Sequence, residues 1–431
     1  MSGLPRVGYV GLTHLGVCSA IAAASKGFET IGFAPDPAAV AGLEAGRLHV
    51  VEPGLEQLLS AHRARVSFTS EPSRLASCDL IYVAPDVPTD DRGNSDLSPL
   101  TELLDLTFAH ARPAATIVIL SQVPPGFTRA RQRPGIRLFY QVETLIFGRA
   151  VERATRPERF IVGCDDPTRP LPEAFARFLQ AFGCPVLPMR FESAELTKIA
   201  INCCLVASVA TANTLAEICE KTGADWSEIV PALRLDARIG PYAYIAPGLG
   251  IAGGNLERDL ETVAQLGDAL GTDVRVVRAW QRNSRYRREW LLRAVHEHVL
   301  ATRNDPKLVL LGLAYKENTH STKNSPALAL LDALKPFAVT VYDPVVAPRS
   351  EWHPRLSRAV DVLTACEGGD ALIISTPWLQ FKQLRPSDIA ARLRGRVVID
   401  PFACLDRAKC AAAGLSHVTL GLGAHRARDP G

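Results

Sequence analysis

Short apolar runs alternate with helical stretches along the first part of the chain. Residues 6–10 form an apolar strand, and a glycine-containing turn separates them from a helical run between His14 and Lys26 that ends at Gly27. Phe28 to Phe33 then predicts a second strand, and this order is that of a βαβ unit. Further strand-like runs continue the alternation at Asp79–Ala84, Thr116–Leu120 and Arg159–Gly163. The pattern predicts a doubly wound parallel sheet.

A long helix and a second alternating region make up the rest. Ser193 to Lys221 predicts one long helix that Gly223 stops, and a second helical run covers about 259–300. Strand-like runs then return at Lys307–Gly312, Ala338–Tyr342, Ala371–Ser375 and Arg396–Asp400. The predicted fold class is therefore α/β, with two Rossmann-like doubly wound domains joined by a long central helix. The expected domain boundaries are 1–192, 193–300 and 301–431.

Composition narrows the classes of partner. The 431 residues carry a net charge of only +3, so nothing indicates binding to nucleic acid or to a membrane surface. The apolar stretch from Ile199 to Ala216 is interrupted by polar residues such as Asn202 and Asn213, which favours a buried helix over a membrane span. The 10 cysteines form no C-x-x-C pair and no metal-ligand spacing, so we expect no metal site and a reducing, cytoplasmic location.

The segment from Gly250 to Asp259 carries the most specific motif. It reads G-I-A-G-G-N-L-E-R-D and resembles the active-site loop of the UDP-glucose/GDP-mannose (nucleotide-sugar) dehydrogenase family, G-[YF]-G-G-x-C-[FL]-P-K-D. Aligned without a gap, Asp259 matches the family aspartate, Arg258 replaces the lysine and Asn255 replaces the nucleophilic cysteine. Other segments resemble family motifs in the same order: Val51–Leu55, Ala84–Pro88, Ser121–Gly126, Ala194–Lys198 and Leu313–Lys316.

The resemblance implies a catalytic group around the central helix. Lys198 and Asn202 are four residues apart and share a helix face, and in the family this pair stabilises oxyanion charge and positions water. A lysine in so apolar a helix needs a partner unless it lies at an exposed edge. Asp259 matches an acid/base-assisting aspartate, although an N-cap of a helix starting at Leu260 is an alternative. The expected catalytic residues are Lys198, Asn202, Asp259, Asn255, Glu143 and Gln122.

A candidate cofactor turn lies between the first strand and the first helix. Gly11 to Gly16 resembles the dinucleotide pattern G-x-G-x-x-G, with Thr13 at the second glycine. Ala34 stands where an acidic residue would bind the ribose, Asp36 follows two residues later, and the absence of an immediate Arg or Lys favours NAD over NADP. The alternative is a domain that keeps its shape but binds cofactor poorly. The expected NAD-binding residues are Gly11, Leu12, Thr13, His14, Leu15, Gly16, Asp36, Pro85, Val87, Pro88 and Ser121.

Substrate contacts and a partner subunit also follow from the resemblance. Arg238 matches a family arginine that reaches substrate across a dimer, and Lys316 matches a lysine that binds the nucleotide-sugar. The expected substrate-binding residues are Arg238, Gly250, Gly253, Lys316 and Lys323. The long helix is apolar nearly all round, so it must be covered on several sides, and a second copy would cover part of it. We therefore expect a homodimer that binds a nucleotide-sugar.

The missing cysteine decides which reaction is expected. The family oxidises a sugar alcohol to an acid in two hydride steps, and its thiolate captures the intermediate aldehyde, whereas an amide is not a nucleophile. We therefore expect transient hydride transfer, most simply a redox-neutral epimerisation of a nucleotide-linked sugar. The alternatives are a two-electron dehydrogenase and a non-catalytic member that binds a sugar nucleotide. Tightly held NAD would favour the epimerase, exchangeable NAD the dehydrogenase, and no NAD the non-catalytic member.

Overall fold

The computed structural model of the protein describes residues 3–90, 93–252 and 254–423. The chain divides into two compact units, Met1–Ile201 and Asn202–Gly431. Each unit contains one sheet, and the helix that links them along the chain contributes residues to both. The two units are therefore described in turn.

The first unit is built on an eight-stranded sheet with the order β3-β2-β1-β4-β5-β6-β7-β8. Its strands are β1 Val7–Val10, β2 Thr30–Phe33, β3 Val66–Thr69, β4 Leu80–Val83, β5 Thr116–Ile119, β6 Arg137–Gln141, β7 Phe160–Cys164 and β8 Val186–Arg190. The order of the first six is that of a Rossmann domain. The central strands β1, β2, β4 and β5 are buried throughout, as strands covered on both faces must be.

Two strands, β7 and β8, run opposite to the other six and depart from the expected parallel arrangement. β7 pairs antiparallel with β6 and parallel with β8, so a wholly parallel sheet is wrong at this edge. The helix in the connection, Ala150–Thr155, packs against the helix that follows β1, so the chain does not cross over the sheet between β6 and β7.

Helices cover the sheet of the first unit. They are α1 His14–Ser25, α2 Pro37–Glu44, α3 Leu55–His62, α4 Ser98–His110, α5 Phe127–Ala130, α6 Ala150–Thr155 and α7 Glu173–Gln180. Short 3₁₀ helices occur at Arg63–Arg65 and Pro72–Ser77. The first helix starts at the predicted residue and ends at Ser25, within two residues of Gly27.

The long helix α8 spans Phe191–Thr222, two residues beyond the predicted start and one beyond the predicted end. By length and composition alone this helix could cross a membrane. It carries buried Glu195, Asn202 and Asn213, however, and each is hydrogen-bonded within the protein. Buried polar side chains that are hydrogen-bonded to the rest of the protein are typical of a core helix, because polar side chains rarely face lipid.

The predicted helical run over 259–300 is wrong as a single element. The structure has α9 Trp226–Leu235, α10 Asn255–Leu270, α11 Arg275–Arg288, α12 Trp290–Val295 and a π-helical turn at His296–Leu300. Gly271 ends α10 in the left-handed conformation with φ +69°, which a glycine adopts without strain. α10 also begins four residues before Asp259, with Gly254 as its N-cap, so the reading of Asp259 as an N-cap is wrong.

The second unit carries a six-stranded, wholly parallel sheet with the order β11-β10-β9-β12-β13-β14. Its strands are β9 Lys307–Leu311, β10 Ala338–Tyr342, β11 Leu356–Arg358, β12 Ala371–Ile374, β13 Val397–Ile399 and β14 Ser416–Val418. The helices that follow β9 along the chain are α13 Pro326–Ala333, α14 Val362–Cys366, α15 Leu379–Lys382, α16 Pro386–Ala390 and α17 Arg407–Ala412, with a 3₁₀ helix at Ser350–Trp352. The strand order repeats that of the first unit, which confirms two Rossmann-like domains.

Candidate active site

The turn after β1 has the geometry of a dinucleotide-binding turn. Gly11 has φ +94°, and a β-carbon there would lie 2.7 Å from the backbone nitrogen of Pro85. A β-carbon on Gly16 would lie 1.9 Å from the carbonyl oxygen of Gly11. Both positions therefore require glycine, one for conformation and one for the close packing of α1 on the turn. The structure brings Gly11, Gly16 and Pro85 together, as the sequence indicated.

A carboxylate lies at the start of α1. The His14 backbone N–H donates to Oδ2 of Asp86 at 2.9 Å, and the Asp86 backbone N–H donates to Oγ1 of Thr13 at 2.7 Å. The N-terminus of a helix is an anion site, so the exposed Asp86 side chain occupies part of it. Asp86 was not among the expected cofactor residues. The available signal was an acidic residue inside a segment that otherwise resembles the uncharged family motif V-G-T-P.

The His14 side chain joins a second polar contact beside the turn. Its Nε2 lies 2.7 Å from Oε1 of the fully buried Glu52 carboxylate, which also accepts from the N–H groups of Gly148 at 2.9 Å and Ala150 at 3.2 Å. Burial raises the pKa of Glu52, but the hydrogen bonds from His14, Gly148 and Ala150 outweigh burial and hold this pKa below its usual value. The His14 ring also packs on Phe147, with ring centroids 4.1 Å apart.

The other expected cofactor residues divide between structural and exposed positions. Leu12 and Leu15 are buried core residues, and Ser121 is buried and donates to the Pro85 carbonyl at 2.5 Å. Asp36 is exposed and caps α2 by accepting from the Ala38 N–H at 2.9 Å. Val87 is half-buried and Pro88 is exposed on the loop that Ser121 anchors. The loop residues therefore flank the turn, while Asp36 lies beyond the end of β2.

Lys198 is paired with a carboxylate, which a lysine in so apolar a helix requires. Its Nζ lies 3.2 Å from Oε2 of Glu143, and the two side chains are only 14% and 15% exposed. The reading of Lys198 as a lysine at an exposed edge is therefore wrong. The other oxygen of Glu143 accepts from the Leu145 N–H, which fixes the carboxylate. Gln122 is half-buried in the same unit.

One turn further along α8, Asn202 belongs to a buried polar group of the second unit. Its Nδ2 donates to Oδ2 of Asp259, and Nε of Arg258 donates to Oδ1 of the same carboxylate at 3.3 Å. Asn202 is 7%, Arg258 6% and Asp259 1% exposed. A buried carboxylate requires such partners, so Arg258 supplies the positive charge of the lysine that it replaces.

Asn255 is the first residue of α10, and its side chain is exposed. The loop before Asn255 packs closely on α11, since a β-carbon on Gly250 would lie 2.4 Å from the Ser284 carbonyl oxygen. Arg288 of α11 also donates to the Ile251 carbonyl at 2.7 Å. Burial lowers the pKa of Arg288, which also pairs with Glu257. The expected substrate residue Gly253 lies outside the described residues.

Cys203, a thiol beside the Asn202–Asp259 pair, is not suited to nucleophilic attack. Cys203 lies on α8 beside Asp259, and burial, followed by the negative charge of Asp259, raises the pKa of Cys203 to about 11. Because the thiolate is the nucleophile, Cys203 is protonated and unreactive near neutral pH.

The remaining substrate candidates are three basic residues of the second unit, Lys323, Lys316 and Arg238. A β-carbon on Gly254 would lie 3.3 Å from Cδ of Lys323, so that lysine borders the start of α10. Lys316 is half-buried in the turn after β9, with Nζ 5.7 Å from the centre of the Tyr315 ring. The Arg238 side chain is 88% exposed and pairs with Asp236 at 2.6 Å. Within residues 3–90, 93–252 and 254–423, no group of three or more His, Cys, Asp or Glu side chains could hold a metal ion.

Three domain models of one family match the chain in order. Residues 5–178 match the NAD binding domain, 192–285 the central domain and 309–407 the UDP binding domain of the UDP-glucose/GDP-mannose dehydrogenase family. Together the three matches cover most of the chain and include all of the candidate residues.

Individual relatives agree with this match. UDP-glucose 6-dehydrogenase TuaD of Bacillus subtilis is 26% identical over 99% of this chain and 95% of its own length. The UDP-glucose 6-dehydrogenase of Pseudomonas aeruginosa is 28% identical over 96% of this chain and 97% of its own length. Among solved structures, a UDP-glucose dehydrogenase from Pyrobaculum islandicum superimposes with a TM-score of 0.84 at 26% identity, covering 98% of this chain and 99% of that one.

Proposed function

The chain belongs to the UDP-glucose/GDP-mannose dehydrogenase family, and we propose that it is an NAD-dependent nucleotide-sugar oxidoreductase that stops after one hydride transfer. The observation that carries this proposal is Asn255, an amide at the first residue of α10, at the position that the resemblance aligns with the family's nucleophilic cysteine. An amide cannot form a thiohemiacetal with an aldehyde, so the route to the acid is missing.

The first unit fits the dinucleotide that its family match implies. Gly11 permits the left-handed turn and Gly16 permits the close packing of α1 on it, and the N–H groups at the start of α1 form an anion site. Gly11 to Gly16 would hold the diphosphate, and the loop of Pro85, Val87 and Pro88 would flank it. NAD supplies the acceptor for the hydride, and the residues of the chain govern the proton and the charge of the oxygen.

Lys198 is the group that we assign to the reacting oxygen. Its ammonium is mostly buried and held by Glu143, so it offers a fixed positive charge to a sugar alkoxide in a water-poor setting. Glu143 keeps this lysine oriented, and the pair provides both a donor and an acceptor for the hydroxyl proton. Gln122, half-buried in the same unit, would orient the sugar by hydrogen bonding.

For Asn202 and Asp259 we propose the roles that the family resemblance implies. Asn202 lies one turn from Lys198 on α8 and therefore on the same helix face. Asp259 holds the Asn202 amide, and Arg258 balances the carboxylate. Asn202 would orient the sugar, while Asp259 would assist proton transfer through this buried network.

A second oxidation would need a thiolate at the reacting carbon, and neither Asn255 nor Cys203 supplies one. At the first residue of α10 the helix dipole would lower the pKa of a cysteine, which is the setting in which thiols become nucleophiles. Asn255 occupies that position, and Cys203 is protonated because burial raises its pKa. We therefore expect an aldehyde or ketone as the product and no sugar acid from UDP-glucose.

Product stoichiometry tests the proposal. The purified protein is incubated with NAD and a panel of nucleotide-sugars, NADH is counted by absorbance, and products are identified by mass spectrometry and NMR. We expect one NADH per oxidised sugar, and two NADH per UDP-glucuronate formed would overturn the proposal. Asn255→Cys is expected to restore the second oxidation, whereas the matched Asn255→Ser variant, which lacks a thiol, is expected to leave the product unchanged.

A redox-neutral epimerisation is the second candidate. The Lys198–Glu143 pair could return a proton to the same oxygen that lost it, and a ketone held in place could be reduced from its other face. This reaction would change the sugar by NMR without net NADH. A protein that bound UDP-sugar but neither bound nor used NAD would instead be the non-catalytic member.

We also propose a homodimer formed through α8. Leu196, Leu215 and Ile218 leave apolar surface on this helix, with exposed fractions of 48%, 41% and 51%. Arg238 is exposed, as a residue that reaches a neighbouring subunit's substrate would be. Light scattering at micromolar concentration should give the mass of a dimer, and an active monomer would refute both the dimer and the role of Arg238.

The 10 cysteines are all unpaired, which is typical of a reducing compartment and supports the proposed cytoplasmic location.

A further inference from the structure

We propose that Asp86 determines the affinity for NAD, because its carboxylate competes with the diphosphate for the N-terminus of α1. The inference rests on the proposed function, in which the first unit binds NAD at the turn after β1. Asp86 then lowers the affinity for NAD, so that the cofactor can be exchanged.

The backbone of the loop carries Asp86 to the helix start. Ser121 donates to the Pro85 carbonyl at 2.5 Å, and the Asp86 N–H donates to Thr13 at 2.7 Å, so both polar groups of the peptide bond that precedes Asp86 are anchored. Gly11 allows this approach, since a β-carbon there would lie 2.7 Å from the Pro85 nitrogen. The Asp86 carboxylate then accepts from the His14 N–H at 2.9 Å.

Two anions cannot share this position. The positive end of the helix dipole and the free N–H groups favour one negative group, and a diphosphate beside a carboxylate adds repulsion between like charges. Asp86 must therefore turn away when a diphosphate enters. Its side chain is exposed, so it can move into water without leaving a buried charge behind.

The competition bears on the choice between the two proposed reactions. An epimerase keeps its cofactor through the cycle, whereas a dehydrogenase must exchange NADH for NAD after each turnover. A carboxylate that closes over the site when the diphosphate leaves weakens the bound state and favours exchange. Asp86 therefore favours the two-electron dehydrogenase over the redox-neutral epimerase.

Isothermal titration with NAD tests the inference without any measurement of activity. Asp86→Asn removes the charge and keeps the shape, and Asp86→Ala removes the acceptor. Both are expected to bind NAD about tenfold more tightly than the unmodified chain, which is within the range that a charge gains at a helix N-terminus. Asp105→Asn is the matched control, because Asp105 is exposed on α4 and pairs with Arg133, away from the turn. It is expected to leave the Kd for NAD unchanged.

Titration with UDP separates this inference from the proposed function. None of the three substitutions is expected to change the Kd for UDP. If the unmodified chain and both Asp86 variants bind NAD equally, or the variants bind it more weakly, the proposed function stands and the inference is overturned. If no protein binds NAD although UDP binds, the NAD-dependent function fails and the inference fails with it. Because Asp86→Asn is isosteric, it keeps the test valid should Asp86→Ala fold poorly.

Discussion

The two Rossmann-like sheets share a strand order, and in each unit a carboxylate accepts from backbone N–H groups in the turn after the first strand. In the second unit Oδ2 of Asp343 accepts from Leu313 at 2.6 Å and Ala314 at 3.1 Å. Its Oδ1 accepts from the N–H groups of Val345 and Val346, each at 2.8 Å. In the first unit Asp86 accepts from His14 alone among these turn N–H groups, and its side chain is exposed.

The difference shows how burial and the number of donors set the cost of displacing a carboxylate from such a turn. Asp343 is 8% exposed and also accepts from Nε1 of Trp378 at 3.2 Å, so its displacement would leave several buried donors without partners. Asp86 can be displaced at little cost. The same topology therefore gives a buried carboxylate with several donors in the turn of the second unit and an exposed carboxylate with one turn donor in the first.

Stability measurements on a matched pair of variants should show the largest effect. Asp343→Ala is expected to lower the free energy of unfolding of the second unit by about 4 kcal/mol, because it leaves buried N–H donors unsatisfied. Asp86→Ala is expected to change that of the first unit by no more than about 0.5 kcal/mol, since its carboxylate is exposed. Urea denaturation followed by circular dichroism measures both. Equal losses would show that the two carboxylates have the same role.

Asp343→Asn provides the control for this pair. Asparagine keeps the shape and one acceptor oxygen but presents an NH₂ group to the remaining backbone donors. The expected loss is smaller than that of Asp343→Ala but larger than that of Asp86→Asn. An Asp343→Asn variant as stable as the unmodified chain would mean that charge and acceptor number contribute nothing at this turn.

A lysine from the first unit should separate chemistry from nucleotide binding. Lys198→Met keeps most of the packing of the side chain and removes the charge that we propose to stabilise the reacting oxygen. Turnover is expected to fall about a hundredfold, equivalent to roughly 3 kcal/mol of transition-state stabilisation, while the Kd for UDP stays the same. Steady-state kinetics and titration measure the two effects. Unchanged turnover would reduce the Lys198–Glu143 pair to a structural role.

Lys316 in the second unit should behave in the opposite way. Asp343 already accepts from the turn N–H groups of Leu313 and Ala314, so a UDP moiety near this turn would depend on side-chain charge such as that of Lys316. Lys316→Met is expected to weaken UDP binding about tenfold, which corresponds to 1.4 kcal/mol, and to leave NAD binding unchanged. If Lys316→Met also weakened NAD binding, the assignment of one nucleotide to each unit would be wrong.

The hydrophobic pattern predicted the fold better than it predicted the site. Buried apolar runs identified β1, β4, β5 and β9, but the pattern missed the edge strands β3 and β8 and the internal strand β6, whose residues are partly exposed. Family motifs identified Lys198 and Asp259 as separate residues. Their partners came from contacts distant in the chain, such as Lys198 with Glu143, which no local spacing encodes.

Asp86 shows most clearly why the rest could not be predicted. Its carboxylate is 72 residues from His14 along the chain, and the contact depends on how β1 and β4 pair side by side. Sequence alone showed an acidic residue in an unusual loop position but not the group that it would meet. The early start of α10 was also missed, because its N-cap is Gly254 in a loop rich in glycine.

The smallest expected effect concerns Glu52, a buried carboxylate of the first unit with fewer donors than Asp343. The hydrogen bonds from His14, Gly148 and Ala150 hold the folded-state pKa of Glu52 below its usual value. The contribution of Glu52 to stability is therefore fully present above the unfolded-state pKa near 4.5. It is lost as the pH falls through the lower folded-state pKa. Glu52→Gln is expected to cost about 1 kcal/mol at pH 7. Urea denaturation between pH 7 and pH 3 should show the gap between the two proteins narrowing below about pH 4.5. If the difference in free energy of unfolding between the two proteins stayed constant with pH, Glu52 would contribute by its shape and packing. Its charge would then have no stabilising effect comparable to that expected for Asp343.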